Sequence, residues 1–103
     1  MKYKVIFELP AQRDLQDIFY YITDTLKEPA TAQRIYISIK EQILTLQQMP
    51  LRHSIIQEHP YAEMEVRKLL VENYIVFYVV NEERCKVHIL RILYNRREWQ
   101  SIL

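Results

Sequence analysis

Val66-Arg67-Lys68-Leu69-Leu70-Val71-Glu72-Asn73-Tyr74-Ile75-Val76-Phe77-Tyr78-Val79-Val80, and after a polar break Cys85-Lys86-Val87-His88-Ile89-Leu90-Arg91-Ile92-Leu93-Tyr94-Asn95-Arg96-Arg97-Glu98-Trp99, decides the fold. The stretch reads as three consecutive strands and a basic, aromatic tail. Each apolar run has the length of an ordinary strand and is rich in Val, Ile, Tyr and Phe. The first break is Glu72-Asn73. A two-residue hairpin loop needs positive φ, and in a chain without glycine Asn73 is the residue expected to supply it. The second break, Asn81-Glu82-Glu83-Arg84, has the length and polarity of a loop built around a type I turn. Tyr74 to Val80 is apolar at every position, so both faces of that strand need cover.

Outward from this meander, the N-terminal part supplies a strand and two helices. Lys2 to Glu8 alternates, with Tyr3, Val5 and Phe7 on one face. Pro10 ends that strand and suits the first turn of a helix, where its missing N–H is not needed. From Ala11 the spacing is helical, and Leu15, Ile18, Phe19, Ile22 and Leu26 form a stripe. Asp14 and Asp17 are placed to favour the positive end of the helix dipole. Pro29 opens a second helix with the stripe Ala32, Ile35, Tyr36, Ile39, Ile43 and Leu46, and so short a connection folds the two back as an αα-hairpin. Pro50 disfavours the right-handed helical conformation at Met49 and ends it. Leu51 to Ala62 has no period and reads as a loop returning the chain to the sheet. The fold expected is α+β: an antiparallel-dominated four-stranded sheet on an N-terminal αα-hairpin, in the order β-α-α-β-β-β, closed by a short C-terminal helix.

At 103 residues the chain is sized for one domain, 1–103, and its mixture of half hydrophobic and about a quarter charged residues is that of a globular protein. A net charge of +1 excludes a strong global field, so any nucleic-acid contact has to rest on a local patch. A lone cysteine, Cys85, forms no internal disulfide and fits a reducing compartment. The N-terminus lacks the apolar run of a signal peptide and no segment approaches a membrane span, so a cytoplasmic location and no membrane contact are expected. The absence of glycine excludes every phosphate-binding or nucleophile motif that needs one.

The basic residues Arg67, Lys68, Arg84, Lys86, Arg91, Arg96 and Arg97 crowd the last forty positions. Lys68, Arg84 and Lys86 can be satisfied as surface charges against Glu65, Glu82 and Glu83. Arg91 lies inside an apolar run, where an unpaired charge is costly, and admits two readings: an ion-paired residue or a target contact. If Arg67 and Arg91 share a face they form a positive floor, extended by Arg96 and Arg97, with Tyr94 and Trp99 as flat rings beside the guanidinium groups. Cations interleaved with aromatics suit phosphate contact with base stacking. His53, His59 and His88 have no ligand spacing, so no metal is expected; Glu58 and His59 are a conceivable acid and base in the loop. No cofactor is implied.

The order of elements resembles the RelE/ParE superfamily of bacterial type II toxin–antitoxin toxins over essentially the whole chain. The residues that carry the resemblance are Arg67-Lys68-Leu69 leading through Glu72-Asn73 to Tyr74-Ile75-Val76-Phe77-Tyr78, and the closing Ile89-Leu90-Arg91-Ile92-Leu93-Tyr94-Asn95-Arg96-Arg97-Glu98-Trp99. Arg13-Asp14-Leu15, Ile18, Tyr21-Ile22 and Pro29-Ala30-Thr31-Ala32 support it. The resemblance implies a growth-inhibiting toxin of a plasmid-stabilisation (addiction) module, bound as a hetero-oligomer by a small DNA-binding antitoxin that wraps it with an extended segment. RelE-like members cleave mRNA on the ribosome; ParE-like members inhibit DNA gyrase. RelE-like chains commonly begin a strand with Arg-Leu-Val-Tyr, and here Tyr74-Ile75-Val76-Phe77 stands in that place, without the arginine. The closing Asn-Arg-Arg-Glu-Trp is similar to the ParE-like side. For a RelE-like activity the catalytic candidates are Arg91, Tyr94 and Arg96. The candidate target- or nucleic-acid-binding set is Arg67, Lys68, Arg91, Arg96, Arg97 and Trp99. A non-toxic interaction protein of the same fold is the remaining class.

Overall fold

The structure, a computed structural model, describes residues 2–95 and 99–103, the side chain of Gln100 excepted. Strand β1 (Lys4–Phe7) is followed by α1 (Leu9–Tyr20), α2 (Pro29–Leu44), β2 (Arg67–Val71), β3 (Tyr74–Asn81) and β4 (Lys86–Tyr94). The sheet order is β1-β4-β3-β2; β1 runs parallel to β4, and the other two pairings are antiparallel. The expected α+β architecture and element order are therefore what the chain forms. At the C-terminus the described residues hold a single 3-10 turn, Trp99–Ser101, and the short C-terminal helix expected there is not seen among them.

Helix α1 starts two residues earlier than its apolar spacing suggests. Glu8 is extended (φ −66°, ψ 155°) and Pro10 occupies the first turn. The carboxylates Asp14 and Asp17 consequently lie beyond the first turn, outside the reach of the dipole role expected of them. At Tyr21–Thr25 the helix widens into a π turn, and Lys27, with φ 58°, closes it in the left-handed conformation. Pro29 then opens α2, and the chain doubles back so that the ring of Phe19 meets that of Tyr36, centroids 5.7 Å apart.

One face of the sheet supplies Val76, Tyr78, Val87, Ile89 and Ile92 to a core shared with Ala11, Leu15, Ile39, Ile43 and Leu46 of the helical layer. Full burial of a side chain of this size contributes about 1.5–3 kcal/mol, so this layer carries most of the fold's driving force. The opposite face presents Ile75, Phe77 and Leu93. It is closed by Ile56, Tyr61 and Val66 from the segment before β2, and by Trp99, Ile102 and Leu103 from the tail. The segment without a period thus covers a sheet face that otherwise demands a partner. Ile56 donates its N–H to Val66 at 2.8 Å, and an isolated bridge between Ile55 and Arg67 holds the segment against β2.

Both hairpin turns differ in detail from expectation. The positive φ of the first falls on Glu72 (52°) and not on Asn73. Glu72 is held there by Arg34 of α2, whose Nη1 lies 3.0 Å from both carboxylate oxygens. The second loop runs one residue later, Glu82 to Cys85, with Asn81 paired to Lys86 and Cys85 at φ 51°. Met49 does avoid the right-handed helical region before Pro50, by going left-handed (φ 51°).

Candidate functional site

The site is set by a shift of register in the central pair. Phe77 stands opposite Arg91 while its neighbour Tyr78 stands opposite Ile89, so Leu90 is an extra residue in β4. The bulge aims Arg91 away from the helix-facing core. Strand β1 ends at Phe7, whose neighbour Glu8 makes the last edge hydrogen bond, N–H to Ile89 carbonyl at 3.0 Å. Beyond it the edge of β4 would be bare. Because α1 follows β1 directly, it brings Asp14 to that edge: Oδ2 accepts the Ile92 N–H at 2.9 Å.

The same carboxylate takes Arg91 in a two-pronged pair, Nε to Oδ2 at 2.6 Å and Nη2 to Oδ1 at 2.9 Å, and Arg91 Nη1 donates to the Ile102 carbonyl at 3.2 Å. The side chains are 25% and 12% exposed for Arg91 and Asp14, so the pair is largely withdrawn from water. The Asp14 hydrogen bonds raise the Arg91 pKa, outweighing the opposing effect of burial. Of the two readings open for Arg91, ion pairing is the one this geometry displays.

Arg67 does not join Arg91. It pairs across the ladder with Tyr78, on the helix-facing side, whereas Arg91 pairs with Phe77 on the other. The conditional floor therefore does not form. Arg67 Nη1 instead donates to the carbonyls of Leu51 (3.0 Å) and His53 (2.6 Å), clasping the segment after α2. Lys68, exposed, shares the outer face with Arg91, and Phe77 lies between them in the ladder. Trp99 packs over that Phe77, ring centroids 5.1 Å apart, and beside Tyr61 at 6.1 Å. Its ring is cover for a core. Tyr94 ends β4 on the helix-facing side, with its ring 5.5 Å from that of Tyr74. Arg96 and Arg97 lie outside the described residues. The trio Arg91, Tyr94 and Arg96 is thus represented by two residues whose side chains leave the sheet on different faces.

A second cationic group went unnoticed in the sequence. Arg52 donates from Nε to His53 Nε2 (3.3 Å) and from Nη2 to Thr45 Oγ1 (2.9 Å), and Tyr78 donates its hydroxyl to the Pro50 carbonyl at 2.7 Å. Burial, then the charges of Arg52 and Arg67, lower the His53 pKa and favour the neutral imidazole. Burial pushes the Tyr78 phenol up to about 12, against the pull of the two guanidinium groups. Among the described residues neither Arg52 nor Arg67 has a carboxylate within ion-pair distance. Spacing in the sequence gave no sign of this group, since its members come from the end of α2, a loop and two strands. His59 pairs with Glu63 at 2.7 Å and His88 with Glu8 at 2.8 Å, and Glu58 makes no side-chain pair with His59. Among the described residues no three His, Cys, Asp or Glu side chains gather as a metal site would require, and no helix is long and apolar enough to cross a membrane.

The fold has known counterparts. A chain of the chromosomal ParDE toxin–antitoxin system from P. aeruginosa is 24% identical with a TM-score of 0.73, covering 90% of this chain and 96% of that one. The RelBE2 toxin–antitoxin complex of Mycobacterium tuberculosis contains a chain 24% identical, TM-score 0.67, covering 91% and 99%. A free mutant of the E. coli toxin RelE is 14% identical, TM-score 0.66, covering 99% and 93%. At these identities the likeness is one of fold. No curated protein sequence is significantly similar to the chain. The family model described as the ParE toxin of the type II toxin–antitoxin system parDE matches residues 5–99, nearly the full length. The chain belongs to the ParE toxin family of type II toxin–antitoxin systems.

Proposed function

We propose that this chain arrests bacterial growth by inhibiting DNA gyrase and that a cognate antitoxin, wrapping it as a hetero-oligomer in the cytoplasm, holds it in check as part of a plasmid-stabilisation module. The observation that carries the choice of gyrase is the Asp14–Arg91 pair. Cleaving RNA calls for cations free to meet an in-line phosphate transition state and for a base beside them. Here the β4 arginine already faces a carboxylate in two-pronged contact, and the strand position where RelE-like chains commonly carry arginine holds Tyr74. The match to the ParE family supports the same side of the superfamily.

One observation favours the rival. His53, biased to its neutral form, contacts both Arg52 and Arg67, neither of which meets a carboxylate among the described residues, and so is a base beside two cations. Two assays of the purified chain separate the readings. Loss of gyrase-catalysed supercoiling with translation intact supports the inhibitor; codon-linked mRNA cuts on ribosomes, abolished by His53→Ala, support the ribosome-dependent endoribonuclease. Normal bacterial growth at confirmed expression of the folded chain would remove both and leave a non-toxic interaction protein.

A further inference from the structure

Past the end of β1, no strand among the described residues covers the outer edge of β4. The ladder with β3 fixes which groups face it: Asn95 donates to the Asn73 carbonyl at 2.8 Å, so the backbone groups of Leu93 turn towards β3 and those of Ile92 and Tyr94 turn away. Asp14 takes the Ile92 N–H. Among the described residues nothing pairs with the Ile92 carbonyl or with the N–H and carbonyl of Tyr94. Unpaired edge groups of this kind are a template for another strand.

This edge borders a groove of about 670 Å³ between the sheet and the widened end of α1. Among the described residues its lining includes three carboxylates, Asp14, Asp17 and Glu72, and no Lys, Arg or His. Two are already neutralised, Asp14 by Arg91 and Glu72 by Arg34. Asp17 has no cationic partner among the described residues. Beside it stand apolar and aromatic surfaces that water wets: Tyr21 is 55% exposed, Leu26 47% and Tyr94 37%. The π turn at Tyr21–Thr25 sets Tyr21 and Ile22 against this space, and π turns recur at functional sites.

We infer that an extended segment of the antitoxin adds to the Ile92–Tyr94 edge of β4 and places a lysine or arginine, flanked by apolar residues, on Asp17 in this groove. Main-chain bonds to the edge would supply affinity, and the alternate side chains specificity. Rings of Tyr21 and Tyr94 add faces on which a cation is attracted. The inference rests on the toxin reading for the identity of the occupant.

The test uses a capped pentapeptide, acetyl-Val-Ile-Arg-Ile-Val-amide, titrated into the full chain and followed by amide NMR shifts. Saturable shifts centred on residues 92–94 and 17–21 are expected. Replacing the peptide's arginine with citrulline, N-methylating that residue, or making Asp17→Asn in the protein should each weaken binding by about tenfold. Asp17 is exposed, so its variant keeps the fold. No saturable shift up to a few millimolar, shifts confined to the outer face of the helical hairpin, or binding indifferent to all three changes would overturn the inference. So would concentration-dependent shifts at the same residues without peptide, which would give the edge to a second copy of the chain. Gyrase plays no part in this measurement, so its failure stays distinct from failure of the functional reading.

Discussion

Arg91 carries more of the structure than its position in an apolar run revealed. Were Arg91 a target contact, Arg91→Ala should weaken or abolish activity and spare the fold; as an ion-paired residue it should cost stability. With Asp14 only 12% exposed, the substitution leaves a carboxylate stranded beside the sheet edge. A broken buried pair costs about 3–5 kcal/mol, and the partial exposure of this one lowers the expectation to about 2 kcal/mol. Urea denaturation should register that loss. The double variant Asp14→Asn, Arg91→Ala should recover part of it, because an amide oxygen still accepts the Ile92 N–H without a bare charge. A double variant no more stable than the single would show that the charge was not the cause.

The group around His53 and Tyr78 predicts a pH profile with two limbs. His53 is lowered in the folded state from its ordinary 6.5, so the stability it confers is present above pH 6.5 and is lost as pH falls through the folded value. Tyr78 is raised from 10.0 to about 12, so its contribution is full below pH 10 and disappears between pH 10 and about 12. Chemical denaturation across pH should show stability falling at both ends, and Tyr78→Phe should flatten the alkaline limb while costing about 1 kcal/mol for the lost hydrogen bond to Pro50. An alkaline limb unchanged in that variant would place its origin elsewhere.

At the level of elements, alternation and 3.6-residue spacing were enough to place the four strands, both helices and their order, because each element buries one face or stripe against the same core. What the patterns concealed was set by single residues. The extra Leu90 in β4 reverses the face of every later side chain, and this is why Arg67 and Arg91 separate where a regular ladder invited their union. The segment after Pro50 has no period, since Ile56, Tyr61 and Val66 reach the outer sheet face from turns. Its role as a lid on Phe77 is a tertiary fact that local pattern does not encode. Trp99 belongs to the same lid. Trp99→Ala should therefore lower stability by about 2–3 kcal/mol, reduced from full burial because the ring is partly exposed, and should expose Phe77 to an apolar dye. Retained stability would return Trp99 to the target-contact set.

A glycine-free chain also has to meet its left-handed positions with other residues: Lys27, Met49, Glu65, Glu72 and Cys85 all have positive φ. The left-handed conformation costs a residue with a side chain about 1–2 kcal/mol. Met49 is 73% exposed and packs against little, so Met49→Gly should raise stability by up to about 1 kcal/mol once the looser unfolded chain is counted, whereas Met49→Val should lower it.

On the scale of the whole molecule, the chain is a sheet with both faces covered by its own residues, a hairpin on one side and a loop with the tail on the other. The cover that both faces of β3 need is therefore supplied without a partner's apolar side chains: Ile75, Phe77 and Leu93 are already buried. A wrapping partner has the remaining surfaces, and among the described residues the edge of β4 and its groove offer both unpaired backbone groups and a carboxylate without a cationic partner. The toxin family was legible in the sequence because the closing strand and tail carry its residues. The pairing on which the proposed choice of target rests was not legible, because the contact of Arg91 with a carboxylate on a distant helix leaves no trace in spacing.

The most direct test of the account is gyrase-catalysed supercoiling of relaxed plasmid DNA in the presence of the purified chain, with ribosome-dependent mRNA cleavage run in parallel. Supercoiling should fall with increasing chain while the mRNA stays whole. Intact supercoiling with mRNA cut on the ribosome would contradict it.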